Sequence, residues 1–175
     1  WPGRPPALFD PRSVTVDAGK LRVTVGKLER PVEVKGTTFT HRVGIVRSLK
    51  GGQPGWYFEC KMKANQTVMS STFWLINKHG GEKRLELGMK EGGGRTTDKT
   101  ESWGKNWNQI FHSNAISNVK NRDPIKVQLS KQKKTATRNW ERYYVYGAWW
   151  KSKHEIRFYL DGKYMYSIHP ETSWD

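Results

Sequence analysis

Two glutamates five residues apart, Glu86 and Glu91, stand in an acid-poor chain on the run Arg84-Leu85-Glu86-Leu87-Gly88-Met89-Lys90-Glu91-Gly92. Just upstream lies the aromatic and apolar segment Thr72-Phe73-Trp74-Leu75-Ile76. On a β-strand residues two apart share a face, so Glu86 and Gly88 point one way and Glu91 the other. One extra residue, taken up as a β-bulge, would return Glu91 to the face of Glu86. Two carboxyls on one face of a cleft suit glycosidic-bond cleavage, one as nucleophile and the other as general acid and then base. A glutamate pair on an exposed strand is otherwise merely solvated, and the spacing alone leaves both readings open.

The rest of the chain must supply a scaffold for that pair. Its 175 residues suit one domain, spanning 1–175, with a hydrophobic core. Nine Trp, seven Tyr and six Phe are too many aromatics for a solvating tail. No apolar run approaches the roughly 20 residues of a membrane helix. Cys60 is the only cysteine, which rules out an internal disulfide, and its place in Glu59-Cys60-Lys61-Met62 reads as a buried, inert thiol. No Cys/His cluster has zinc spacing, and the five histidines are scattered. The chain opens on Trp1 with no initiator Met, as a processed product would, with any secretion signal outside it.

Charge narrows the partner. Lys and Arg number 31 against 16 Asp and Glu, a formal net charge of +15. Such a surplus favours polyanions. Nucleic acid is disfavoured, because the basic residues are spread along the chain with no recognition-helix, zinc-finger or RNP-like pattern. A sulfated polysaccharide would meet the same surplus, with aromatic side chains stacking on sugar faces. A merely soluble basic surface is the other reading.

The elements read as short strands. Residues 1–11 carry four prolines and form an irregular arm. Residues 13–25 form a hairpin about Asp17-Ala18-Gly19. Residues 26–38 read as loop, and 39–49 as a strand with Val43, Ile45 and Leu49 inward. After a turn at 50–55, residues 56–63 form a strand with Phe58, Cys60 and Met62 on one face. Residues 69–76 read as a strand covered on both faces. The glutamate strand, 82–91, is followed by a glycine-rich loop over 92–108. Strands follow at 108–112, 123–129 and 141–149, a lone helix fits 130–140, and 155–168 form a hairpin about Asp161-Gly162. Many short strands with regular turns argue an all-β sandwich. The chain stops at Trp174-Asp175 with sheet edges unclosed, which leaves two readings, a smaller fold or missing C-terminal strands.

Several of these segments, in order, resemble the β-agarases and β-porphyranases of glycoside hydrolase family 16. They are Trp1-Pro2-Gly3-Arg4 with Leu8-Phe9, Val14 to Leu21, Gly55 to Lys63, and Ser71-Thr72-Phe73-Trp74-Leu75. Tyr144 to Trp150 and Ile156 to Lys163 extend the match to two late strands. The resemblance implies a jelly roll of two curved antiparallel sheets with a sugar-binding cleft on the concave face, and an endo-acting, retaining hydrolase of red-algal galactan; a secreted monomer is the expectation beside it. The signature E-x-D-x-x-E falls on Glu86 to Glu91. It makes Glu86 the nucleophile and Glu91 the acid/base, with the family's bulge accounting for their spacing.

Gly88 departs from that signature, where the family has an aspartate positioned to hydrogen-bond the nucleophile. Glycine supplies no such contact and loosens a strand. A weakened enzyme, or a carbohydrate-binding module on the same scaffold, follows from that change. Trp74 is expected to floor a subsite, or else to pack in the core. Since Phe73 and Leu75 oppose it, only one of the two sets faces the cleft. The resemblance places Trp1 and Arg4 on an arm bordering the cleft, Arg4 forking onto a sulfate. Asn77 and Lys78 leave the Trp74 strand near the same opening, His112 faces the carboxylates from a neighbouring strand, and Trp103 and Trp107 reach over substrate from the long loop. No cofactor is expected. A structural calcium rests on the resemblance alone, as no EF-hand pattern is present.

Overall fold

The computed structural model describes residues 2–77, 82–120 and 126–170. The chain divides into two compact units, Trp1–Gly51 and Gly52–Asp175. In the first, β1 (Gly3–Arg4), β2 (Ala7–Phe9), β6 (Thr37–Val43) and β5 (Val25–Val34) make one sheet in that order. The strands β3 (Val14–Asp17) and β4 (Lys20–Val23) pair as a separate hairpin. Pairing is antiparallel except between β2 and β6. The proline-rich arm therefore contributes two short strands where an irregular segment was expected.

Residues 26–38, expected to be loop, are mostly strand. The β5–β6 hairpin turns on Lys35 and Gly36, both left-handed (φ 49° and 74°). Two successive positive φ values make the tight turn that matches strand twist. Ala18-Gly19 and Asp161-Gly162 turn the same way, at the two places expected. The strand expected over 39–49 ends at Val43, with Ile45 and Leu49 exposed instead of inward.

The second unit is a sandwich. One sheet runs β11 (Lys126–Lys134), β10 (Ile110–Val119), β9 (Lys83–Gly93), β8 (Ser70–Ile76). The other runs β14 (Lys163–Ile168), β13 (Glu155–Leu160), β12 (Tyr144–Ser152), β7 (Tyr57–Met62). All pairs in this unit are antiparallel. Leu85, Leu87, Met89, Phe111 and Ala115 from the first sheet close on Tyr144, Tyr146, Ala148, Ile156, Phe158, Leu160, Tyr166 and Ile168 from the second. Phe111 sits 5.3 Å from the Tyr146 ring and 5.5 Å from that of Tyr166. Such aromatic pairs add to the gain from area buried.

Phe58 and Met62 pack against this core as the alternation of β7 requires. Cys60 is a free, half-buried thiol pushed up in pKa by that burial. Three expectations are corrected. No residue of β8 is fully buried, so it is not covered on both faces. The strand placed at 108–112 is β10, ten residues long. The segment 130–140 is not a helix, because β11 runs on to Lys134. The start of the strand placed at 123–129 lies partly outside the described residues.

Candidate functional site

The glutamates are brought together by an extra residue in β9. Across β10, Glu86 pairs with Ile116, Gly88 with Asn114 and Glu91 with His112. Across β8 the same three pair with Ile76, Trp74 and Thr72. Each set of partners steps by two, so all lie on one face. Both pairings slip between Gly88 and Glu91, where β9 carries one residue more than its neighbours. Met89 and Lys90 both turn to the core face there, as a bulge allows. Glu91 thereby rejoins Glu86 on the face away from the core.

Ser113, opposite the bulge, holds it in place. Its hydroxyl donates to the Met89 carbonyl at 2.9 Å and lies 3.1 Å from the Tyr166 hydroxyl, which itself donates to the Phe111 carbonyl at 2.9 Å. All of this is buried, where an unmade hydrogen bond costs about 1–3 kcal/mol. Ser113→Ala is therefore expected to lower stability by about that amount. It should lower activity too, by loosening the offset that carries Glu91. A urea titration beside an activity assay checks both.

Around the pair, Arg84 Nη2 lies 3.3 Å from Glu86 Oε2, and His112 Nδ1 lies 3.7 Å from Glu91 Oε2. His112 is 7% exposed, and burial, with help from the Lys90 charge, pushes its pKa down. It faces Glu91 across that gap. The His112 ring stacks at 5.1 Å on Trp107, which meets Trp103 edge-on at 5.3 Å. The two loop tryptophans are thus joined to the glutamate row through His112. Asn139, fully buried, pins the end of this loop by donating to the carbonyls of Trp107 (3.1 Å) and Ile110 (3.2 Å).

Comparison with known proteins assigns the lineage. The model of the beta-porphyranase A–D domain of glycoside hydrolase family 16 matches residues 1–175. The chain belongs to this family. Beta-porphyranase B of Zobellia galactanivorans is 40% identical over 182 residues, covering 100% of this chain and 61% of that relative. Beta-porphyranase B of Phocaeicola plebeius is 33% identical over 201 residues, with 98% and 60% covered. The crystal structure of the Zobellia porphyranase B superposes with a TM-score of 0.91 at 37% identity, over 100% of this chain and 67% of that one. The chain thus spans about three-fifths of the length of the curated relatives it matches. Its fold is the jelly-roll β-sandwich of the family.

Within this family member, Trp74 stands on the glutamate face, since Phe73 and Leu75 pack against the core. Asn77 is exposed, but both ends of its amide serve the backbone: Nδ2 donates to the Lys83 carbonyl at 2.8 Å and Oδ1 accepts from Leu85 N–H at 2.9 Å. It clamps the ends of β8 and β9. Arg4 is an exposed residue of β1 in the first unit. Trp1 and Lys78 lie outside the described residues. Among the described residues no three His, Cys, Asp or Glu side chains gather to hold a metal, so no ligands are assigned to calcium. No helix among them is long and apolar enough to cross a membrane.

Three residues on or beneath this face were not picked out from sequence. Lys90 is fully buried under the pair, Asn139 anchors the loop, and Asn114 lies opposite Gly88. The amide of Asn114 fills the room above the glycine, so that place is not vacant.

Proposed function

We propose that this chain is the catalytic domain of an endo-acting, retaining hydrolase of red-algal galactan, porphyran or agar, with a sulfated chain as the preferred substrate. The bulge of β9, which turns Glu86 and Glu91 to one face, is the observation that carries this reading. Glu86 attacks the anomeric carbon while Glu91 protonates the leaving oxygen, and Glu91 then activates the water that releases the sugar from Glu86. Trp74 supplies a flat apolar surface beside the pair. His112 stands beside Glu91, with Trp107 and Trp103 extending that wall. The porphyranase names of the relatives support the substrate class. A polymer of that size is cut outside the cell, by a secreted monomer.

Reducing-end release from porphyran, desulfated porphyran, agarose and carrageenan tests the proposal, with the anomer first formed read by NMR. Release from porphyran or agarose with the β-anomer appearing first is expected. Binding without product on every substrate would instead favour a binding module, the reading that Gly88 keeps open.

The preference for sulfate has its own support. The register of β10 with β11 sets Lys126, Gln128, Ser130, Gln132 and Lys134 on the glutamate face. Both lysines are exposed. Exposed ion pairs contribute about 0.2–1 kcal/mol each. Lys126→Gln with Lys134→Gln is therefore expected to weaken retention on sulfated galactan by about 2- to 30-fold at low salt. Neutral agarose should be unaffected, and added salt should erase the difference. Affinity electrophoresis at two salt concentrations reads this.

A further inference from the structure

We propose that Asn114 is a positioning residue for the glutamate pair. Its side-chain amide stands in the room left by Gly88 and donates a hydrogen bond to the Glu86 carboxylate during turnover. This deepens the reading of Glu86 and Glu91 given above and rests on it. Asn114 pairs with Gly88, between the positions on β10 that face Glu86 and Glu91, and is 1% exposed. The Gly88 N–H donates to Asn114 Oδ1 at 3.2 Å. A backbone N–H can only donate, so this bond fixes which end of the amide is oxygen. The NH2 end is left with two donors and no capacity to accept. The row it belongs to offers carboxylates on either side.

The fit between the two residues is mutual. A Cβ on Gly88 would overlap Asn114 Oδ1, and would stand 2.9 Å from Cγ and 3.1 Å from Nδ2. Any side chain at 88 displaces the amide, so glycine there is what gives Asn114 its place. An amide also differs in kind from a carboxyl. It donates to a carboxylate and favours its charged form, and it adds no third negative charge to the row. Glu86 must be ionised to attack, so a neutral donor serves it directly.

The test is a cycle on the galactan that the wild-type chain cleaves best, with kcat and KM followed across pH and unfolding recorded for each protein. Asn114→Ala is expected to lower kcat about 10- to 100-fold, as for a lost hydrogen bond to a charged group. KM should stay within about twofold, and the acidic limb of kcat/KM should move to higher pH as Glu86 loses a donor to its charged form. Gly88→Asp alone loses activity through the overlap. Gly88→Asp with Asn114→Ala returns a polar partner to the same place and recovers about tenfold or more over either single variant, a non-additivity that independent sites do not show. Gly88→Ala with Asn114→Ala removes the overlap without a polar group and stays as slow as Asn114→Ala.

Should Asn114→Ala fail to fold, the two double variants, which both refill the room, carry the comparison, and equal rates for them overturn the proposal. So does an Asn114→Ala protein with the wild-type kcat and pH profile. A wild-type chain that cleaves while Asn114→Ala cleaves as fast removes this inference alone. A wild-type chain and variants all inert on every galactan remove it together with the proposed function.

Discussion

Glu86→Gln yields a chain that folds and binds galactan yet releases reducing ends at least about 10³-fold more slowly, roughly 4 kcal/mol of barrier. The amide keeps the shape of the carboxylate but cannot form the glycosyl ester through which a retaining enzyme works. Because the Glu86 side chain is 19% exposed, on the outer face of β9, the exchange leaves the core untouched. Glu91 fails in a different way. General acid catalysis contributes about 10²- to 10⁴-fold, and a leaving group that needs no proton does not call on it. Glu91→Ala should therefore still open an activated aryl glycoside and then stall as the glycosyl-enzyme, since water lacks its base. Azide needs no base. Added to Glu91→Ala, it attacks that intermediate and gives a product of retained configuration. Added to Glu86→Ala, it attacks the substrate from the emptied face and gives the inverted one. Opposite anomers, read by proton NMR, assign the two roles. The reverse outcome exchanges them, and the same anomer from both ends the retaining mechanism.

That assignment depends on a bulge which strand parity denies, since five positions in a plain strand oppose the two carboxyls. Strand geometry left the extra residue as one option, and the resemblance gave the reason to choose it. In the fold the reason is local: Met89 and Lys90 share the core side, and Ser113 takes up the carbonyl the offset leaves. Turn chemistry was plain wherever Gly followed a residue able to turn left-handed between clean alternations, as at Asp161-Gly162. It was missed at Lys35-Gly36, because β5 is charged, carries Pro31 and slips between Lys27 and Val32. The length of β10 was hidden for another reason. Its core side reads Phe111, Ser113, Ala115, Ser117, and its other side His112, Asn114, Ile116, so small polar residues blur both faces. The pairing of Asn114 with Gly88 spans 26 positions and is set by the register of two strands. A single sequence does not print that register. The aromatic arrangement was half visible, in that Trp103 and Trp107 were placed on the right loop, while their stacking through His112 depends on Asn139 far downstream.

Lys90→Met is expected to stabilise the protein by about 3 kcal/mol at pH 7, and to raise Tm by roughly 6–12 °C. Lys90 has no exposed surface, its Nζ has no hydrogen-bond partner among the described residues, and the Tyr146 ring 5.6 Å away is its aromatic contact. It sits there because β9 turns it inward at the bulge and Gly92 leaves room for the amine. Burial lowers its pKa from 10.5 to about 8, against the pull of Glu91. That depression is worth about 3 kcal/mol of preference for the neutral amine. Between pH 8 and 10.5 the unfolded chain holds a proton that the folded chain has shed, so stability rises with pH across that window. Below pH 8 both states hold it and the full penalty remains. Methionine fills the same channel without charge, so the variant's stability should be flat over those pH values where the wild type's climbs. Denaturant unfolding at pH 7, 9 and 10.5 reads the difference directly. The same substitution removes a positive charge that holds the His112 pKa down, so the ring beside Glu91 should take up its proton at higher pH in the variant. A variant no more stable than wild type at pH 7, or one that keeps the wild-type slope, would mean that the amine reaches water or an anion in solution.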